Sequence, residues 1–560
     1  HASQTRINTE CVEFCSWLTV VRKGVEKTMP KVFNTTAVCI PEEHYMVDIS
    51  GRLEEIKSLV DAGKYFTINR ARQYGKTTTL RALYRYLQKE YYVVLLDFQT
   101  FDNDKFENGN VFSAAFINSF LRSLKRNTLS PELEDAIKNI LHSTDYTDKY
   151  FSLKELFEQL SDLCAAAEKK IVLMIDEVDS ASNNQVFLDF LAQLRAQYIE
   201  RDIQPTFRAV ILAGVYDVKN LRRKIRPDEV HKYNSPWNIA ADFKVDMSFS
   251  REEIAGMLDE YEKDYHTGMD VELLAGLIRE YTSGYPFLVS RICQLLDEEI
   301  SVKKEYGGKK SAWTKKGFLE AVRILLSEKN MLFESLREKL ESYPELNSML
   351  YSLLFTGKAI VYNYYETSIN IATMFGFVKN ENGVLAVSNR IFETWLYNLY
   401  LSSAEMQKKE IYAASLIDKN QFITNGYLNM RLVLEKFVQH FHDLYGDSDE
   451  TFLEDEGRKY FLLYLRPIIN GTGNYYIETQ TREQKRTDII VDYLGEQYII
   501  EMKIWHGKEY NNRGENQLIE YLNDYHVKKG YMISFNFNRK KETGIKEITI
   551  DGKTIIEAIV

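Results

Sequence analysis

The sequence predicts an α/β fold spread over several domains. Three observations carry this reading. Short continuous apolar runs alternate with helical periods through the first half, a Gly-Lys-Thr stands at one run-to-helix junction, and a second strand-rich block lies near the C-terminus. With 560 residues the chain has room for roughly three or four domains.

Composition narrows the class. The chain is 45% hydrophobic and 27% charged, enough apolar matter for real cores. Its net charge of -10 excludes a protein that coats nucleic acid through overall basicity, so any such contact is local and a cation would neutralise the acids around it. The cysteines (Cys11, Cys15, Cys39, Cys164, Cys293) show no metal-ligand spacing and read as reduced thiols of a cytoplasmic protein. No apolar run approaches the roughly 20 residues of a membrane helix, and no secretory signal frames CVEFCSWLTVV. Residues 1–28 read as an extension, a tag remnant or a misplaced start, with Met29-Pro30 as the natural beginning.

Between about Tyr45 and Ala241, YFTIN (65–69), YVVLLDF (92–98), KIVLMID (170–176) and FRAVILAG (207–214) have the length and continuity of parallel strands covered on both faces. TTTLRALYRYLQKE and NNQVFLDFLAQLRAQYIE, at helical spacing, supply the intervening helices. The expected units are an ATPase-like domain over 29–245 and a helical lid over 246–302, which opens on the capping box Ser250…Glu253. A linker with a small helix-and-hairpin module fills 303–410, and a second α/β domain fills 411–560. KKEYGGKKSAW (303–313) is polar, charged and Gly-bearing and reads as a linker or loop. Asn382-Gly383 between two apolar runs marks a hairpin, and helices before a hairpin suggest a winged helix. The thin basic content of 360–376 favours a joining role over DNA reading.

The strongest motif is NRARQYGKTTTL (69–80), the second half of a Walker A sequence between a strand and a helix. Backbone amides at a helix start and the Lys76 ammonium can cradle phosphates, and the Thr77 hydroxyl can ligate Mg²⁺. Arg70 occupies the position of the usual first Gly. IVLMIDEVDS (171–180) ends a strand in Asp176-Glu177, the Walker B form: Asp176 holds Mg²⁺ and Glu177 orients the attacking water. The cofactor-binding set is Arg70, Arg72, Gln73, Gly75, Lys76, Thr77, Thr78 and Asp176. Arg222 and Arg223 are further candidates for phosphate charge, and no polar sensor stands at Gly214 to Tyr216. Gly284-Tyr285-Pro286 resembles the GxP lid motif of STAND-type nucleotide switches.

In the C-terminal block, DIIVDY and QYIIEMK pair about a tight turn at Leu494-Gly495. The constant sum of opposed residues in an antiparallel pair then sets Tyr493 opposite Glu496 and Asp488 opposite Glu501. Two carboxylates about 5 Å apart repel unless a cation lies between them. Glu501 and Lys503, at i and i+2, share that face, and Met502 takes the other. EDEGRKYFLLYLRP (454–467) is a helix expected to end at Pro467, with Glu456 on the stripe of Tyr460 and Leu463. Downstream, NQLIEYLNDY sets Gln517 a turn from Tyr521. This D…ExK pattern resembles the PD-(D/E)XK nuclease core, which implies a site of Glu456, Asp488, Glu501, Lys503 and Gln517. The three acids would hold Mg²⁺ or Mn²⁺, and the lysine would position water. Thr487 replaces the usual Pro.

Taken with PEEHYMVDI, YFTINRARQYGKTTTL and EGRKYFLLYLRPIINGTGNYYIETQTREQKRTDIIVDYLGEQYIIEMKIWHG, the chain from about Pro30 on resembles the bacterial AAA-like ATPase family that carries a C-terminal PD-(D/E)XK nuclease domain. The resemblance implies an ATP- and Mg²⁺-dependent switch controlling a nuclease. It would act on nucleic acid, DNA before RNA, in the cytoplasm with no membrane partner, either as a homo-oligomer or with a partner protein, and by analogy in defence against foreign DNA. Two other classes stay open: a nucleotide-dependent binding platform with an inactive nuclease fold, and a winged-helix transcription regulator.

Overall fold

The computed structural model describes residues 30–143, 151–215, 237–355, 359–418, 421–424, 426–445, 454–470, 472–477, 489–505, 508–525, 527–538 and 542–560. The first unit is built on four parallel strands, β1 (Tyr65–Asn69), β2 (Tyr92–Asp97), β3 (Ile171–Asp176) and β4 (Ala209–Gly214), in the order β1-β4-β3-β2. These are the four anticipated apolar runs. Alternation sends their side chains to two cores. Val94, Leu96, Leu173, Ile175, Val210 and Leu212 join one, and Phe66, Ile68, Val93, Val172, Met174 and Ile211 join the other. Covering both faces is what makes the runs continuously apolar.

The lid follows as helices Arg251–Tyr265, Val271–Thr282 and Pro286–Gln294. The first carries the expected box: the Ser250 hydroxyl accepts from the Glu253 amide at 3.1 Å, and the Glu253 carboxylate accepts from the Ser250 amide at 2.8 Å. Of the segment 303–313, residues 303–308 are turn and loop, and only 309–313 departs from the linker-or-loop reading. Its helix Lys309–Ala312 lies against the lid, Ala312 and Trp313 are buried, the Trp313 indole donates to the Tyr261 hydroxyl at 3.1 Å, and Lys309 pairs with Asp297. Polar letters misled here because the lysine found a buried acid.

Helices Met331–Ser342, Pro344–Phe355 and Thr367–Met374 precede the hairpin Val378–Glu381/Val384–Val387, whose turn residues Asn382 and Gly383 have φ of 55° and 89°. Both lie in the left-handed region that a type I′ turn needs. Helix Arg390–Leu401 closes the module.

The C-terminal unit is a six-stranded sheet ordered 544–550, 553–559, 529–535, 496–504, 489–493, 473–476. Helix Glu454–Ile469 packs on one face and Lys508–Asp524 on the other. Pro467 does not end its helix, which runs two residues further: a proline that close to the C-terminus forfeits one backbone bond and leaves little helix downstream to disrupt. Three strands follow the last helix. A single apolar core runs from Phe33 through lid and module to Val560. The C-terminal sheet is therefore seated on the lid, with the Tyr476 ring 5.1 Å from that of Tyr281. Of the described cysteines, Cys164 and Cys293 are buried, Cys39 is half-buried, and all three are free thiols.

Two predictions test this packing. A Cβ at Gly457 would sit 2.5 Å from the buried Phe535 ring, so Gly457→Ala should cost about 1–3 kcal/mol by forcing helix and sheet apart. Denaturant unfolding measures it, and an unchanged midpoint would contradict the close approach. The second concerns Asp492, 6% exposed, at a cavity of about 340 Å³ between the hairpin and helix Lys315–Ser327. Burial pushes its carboxyl up to about 7, against an amide bond from Gly495, with Glu320 raising it and Lys315 and Arg323 lowering it. The folded state thus keeps a proton that the unfolded chain releases near pH 4. Stability falls as pH rises from about 4 to about 7, by roughly 1.4 kcal/mol per unit of separation between the two values. Asp492→Asn should flatten that slope in denaturation curves taken across pH, and an unaltered slope would mean the group titrates normally.

Candidate functional site

Asn69 ends β1, and the loop to helix Lys76–Leu87 turns through Gln73 at φ 55° and Gly75 at φ 75°. A left-handed residue at the helix N-cap turns the first amides outward, and open space surrounds the Gly75 Cα. Lys76 is buried, and its ammonium donates to the carbonyls of Arg70 at 3.1 Å and Ala71 at 3.0 Å. Burial lowers its pKa, opposed by the charges of Glu177, Asp179 and Asp176. The lysine is thus sequestered in its own loop, where phosphate oxygens would replace the carbonyls.

Strand order brings the second motif near. β4 alone separates β1 from β3, so the ends of the two motif strands lie about 10 Å apart, two strand spacings. The Thr77 hydroxyl bonds the Asp176 carboxylate, and burial raises the pKa of Asp176 and of Glu177. Glu177 has φ 51°, and its amide donates to Asp176 Oδ1 at 2.9 Å. Asp176, buried, and Glu177, half-buried, beside an ammonium and a hydroxyl are a donor set suited to Mg²⁺ and a phosphate.

Arg70 is differently employed. Its guanidinium donates to the carbonyls of Asn69 and Val245, each at 2.8 Å, and lies 5.3 Å from the Phe243 ring. It braces the loop where the usual glycine would leave space. Arg72 is exposed, and its carbonyl accepts from the Tyr285 hydroxyl. Gly214 is explained by packing: a Cβ there would meet Asp179 Oδ1 at 2.8 Å, and the Val215 amide donates to Asp179 Oδ2 at 2.6 Å. Arg222, Arg223 and Tyr216 lie outside the described residues.

Beside the loop is a cavity of about 320 Å³ that the motifs alone did not reveal. Gln73, Gly75 and Thr78 form its phosphate end, and Tyr45, Ile49, Phe249 and Pro286 give it apolar walls. Its dimensions and lining suit a planar heterocycle. Pro286 opens its helix at N1, as the Gly-Tyr-Pro motif suggested. Gly284, at φ 70°, leaves no room for a side chain, since a Cβ would lie 2.1 Å from the Phe249 carbonyl oxygen. Sequence signalled Pro286 and the neighbourhood of Tyr45, but not their convergence from segments far apart in the chain.

In the C-terminal unit the observed register pairs Ile489 with Ile500 through Tyr493 with Glu496, the sum expected. Leu494 and Gly495 form the turn at φ 52° and 85°. Asp488 lies outside the described residues. Glu501 is fully buried, and the Lys503 ammonium sits 2.8 Å from its Oε1. Met502 faces the opposite core. Helix Lys508–Asp524 approaches the Glu501 face closely: a Cβ on Gly514 would lie 3.3 Å from Lys503 Cγ, and half-buried Gln517 is one turn further along. Glu456 is half-buried in the first turn of helix Glu454–Ile469, which packs on the Met502 face. Sequence reasoning missed Glu557, buried on the Glu501 face and accepting from Ser534 Oγ at 2.6 Å. Among the described residues no three of His, Cys, Asp and Glu converge into a metal-holding cluster.

Comparison with known proteins returns the AAA-like domain as the family model matching residues 42–398. No curated protein matches. Solved structures similar to this chain include the Walker-type ATPase of Pyrococcus abyssi, at 14% identity and TM-score 0.42 over 65% of this chain and 99% of that one. Cdc6p of Pyrobaculum aerophilum matches at 13% and TM-score 0.32, over 66% and 96%. The ORC2 protein of Aeropyrum pernix, solved as ADPNP-ADP complexes, matches at 11% and 0.33, over 63% and 95%. The family model takes in the buried lysine, the Thr77–Asp176 pair, the lid and the helix-and-hairpin module, well over half of the chain, and the chain therefore belongs to the family of AAA-like domains.

Proposed function

We propose that the chain is an ATP-binding and ATP-hydrolysing switch that controls a metal-dependent nuclease. The observation that carries the switch is Lys76, buried and held by carbonyls of its own loop beside the Thr77–Asp176 pair and an apolar cavity of nucleotide-base size. ATP fits this set. Gln73, Gly75, Lys76, Thr77 and Thr78 line its phosphates, and Asp176 with Thr77 holds Mg²⁺, which offsets phosphate charge when bound. Glu177 orients water. Arg72, exposed beside the loop, is a candidate for a charge contact with the phosphates, and the other two expected arginines, Arg222 and Arg223, lie outside the described residues.

The proposed division is 29–245 for the ATPase, 246–302 for the lid, 303–410 for a winged-helix-like module and 411–560 for a PD-(D/E)XK-like unit acting on DNA in the cytoplasm. Glu501 beside Lys503, with the Gln517 helix against them, supports the last assignment. Asp488 is the second acid of its proposed metal set; Glu456, expected as the third, stands in a helix on the opposite, Met502 face of the sheet from Glu501. A specific observation also favours a second reading, a binding platform on an inactive nuclease fold: Glu501 is fully buried and already ion-paired, and freeing it for a cation costs that pair.

The ATPase and nuclease parts are tested separately. Lys76→Ala should abolish ATP binding in a filter or calorimetric assay, while unchanged affinity would refute the phosphate cradle. Glu177→Gln should retain ATP and lower turnover by about a hundredfold or more, the size of a lost general base; normal turnover would move that role elsewhere. Plasmid nicking with Mg²⁺ or Mn²⁺, with and without ATP, should occur in wild type and disappear in Lys503→Ala. Equal cleavage by both proteins removes the nuclease assignment, and silence from both leaves the platform.

A further inference from the structure

The base cavity beside the phosphate loop has one wall that neither the ATPase unit nor the lid supplies. Met331 lines it. This residue opens helix Met331–Ser342, the first of the helices that precede the module's hairpin. Tyr45 and Ile49 line the same cavity from the N-terminal segment, and Pro286 and Phe287 from the lid. Three units thus meet at one apolar cavity. Leu332, Phe333, Leu336 and Leu340 of the Met331 helix are buried in the core, which fixes the helix, whereas Met331 itself is 73% exposed. A lone exposed apolar residue is ordinary. This one stands at the wall of a cavity of base size, and its polarisable thioether is suited to packing against an aromatic ring.

A run of polar bonds sets the place of Met331. Asn330 caps its helix, the side-chain oxygen accepting from the Phe333 amide at 2.9 Å, while Nδ2 donates to Glu328 Oε1 at 3.4 Å. The Glu328 carboxylate accepts from Arg291 of the lid, from Nε at 3.1 Å and from Nη2 at 2.6 Å. Arg291 Nη1 donates to Gln294 Oε1 at 2.9 Å, which also accepts from the Thr35 hydroxyl at 3.0 Å. Thr35 is itself part of the cavity wall. The run therefore ties one wall residue to the neighbour of another by way of the lid. Its centre is a forked Arg–carboxylate pair, mostly buried on both sides, which holds direction as well as distance. The module also meets the phosphate loop directly, where a Cβ on Gly376 would lie 3.0 Å from Ala71 Cβ.

We propose that Met331 contacts the base of the bound nucleotide, so that the helix-and-hairpin module reads the base while the loop reads the phosphates. The inference rests on ATP as the occupant of this cavity. A base seated there covers a side chain that the free chain leaves in water. Module and ATPase unit are then joined through the ligand, and a ligand with phosphates but no base cannot make that join.

Two ligands separate base from phosphate: a non-hydrolysable ATP analogue and inorganic tripolyphosphate, each with Mg²⁺. The full chain is treated briefly with hydrogen peroxide, which adds one oxygen to an exposed thioether, and mass spectrometry follows Met331. Oxidation should be several-fold slower with the ATP analogue and unchanged with tripolyphosphate. In calorimetry, Met331→Ala should weaken the analogue by about three- to tenfold and leave tripolyphosphate affinity as it was. Met331→Leu, which keeps an apolar side chain of similar volume, should recover most of the loss. Because Met331 is exposed, both variants should melt with wild type. Absence of protection by the analogue, equal protection by both ligands, or wild-type affinity in Met331→Ala overturns the contact. A wild-type chain that binds neither ligand is a separate failure: it overturns the nucleotide site, and the contact with it.

Discussion

The bond from the Tyr285 hydroxyl to the Arg72 carbonyl is the contact on which the arrangement of units depends. It joins the lid to the phosphate-binding loop through backbone, so it is indifferent to the side chain at 72. It holds only because the turn before it is locked. The Phe249 amide donates to the Gly284 carbonyl at 2.8 Å, and no residue with a Cβ fits at Gly284. Tyr285 packs edge-on against Tyr74 and against Phe392 of the module, at 4.7 and 5.4 Å. At the end of the preceding helix, Tyr281 meets Tyr476 of the C-terminal sheet. The short connection between two lid helices, 281–285, therefore touches loop, module and C-terminal unit. A shift of the lid would be felt in each of them, because packed aromatic contacts exchange between discrete arrangements and do not deform smoothly.

The phosphate loop supplies the other half of such coupling. With Lys76 bonded to Arg70 and Ala71 carbonyls, the loop satisfies its own cation. Drawing the ammonium toward phosphate would free two carbonyls next to the residue whose carbonyl holds Tyr285. Arg70 counters collapse by bracing Asn69 and Val245. The replacement of a glycine by arginine at this position thus has a structural reason, which a motif template treats as a defect.

Much of this was legible in the sequence. The strands of the first sheet announced themselves because burial on both faces demands unbroken apolar runs, and the hairpin register followed from arithmetic once Leu494-Gly495 was taken as the turn. Three things escaped. The 303–313 segment looked like a linker because Lys309 is charged, and only the fold shows Asp297 awaiting it. Pro467 reads as a helix stop, but the cost falls too near the end to matter. The base cavity draws Tyr45, Phe249 and Pro286 from distant segments, and convergence of that kind has no local signature.

The C-terminal face poses an electrostatic problem whose solution separates the two functional readings. Glu501 and Glu557 are both buried on one face of the sheet, with Met532 in register between them. Glu557 is satisfied by Ser534, a neutral donor, and Glu501 by Lys503, a charged one. A neutral bond leaves an acid as a structural element. An ion pair sets a cation against the carboxylate, and taking that cation away leaves a buried group without its counter-charge. Of the two buried acids, Glu501 is thus the one whose partner is a cation, so a metal at the proposed site would have to displace the Lys503 ammonium.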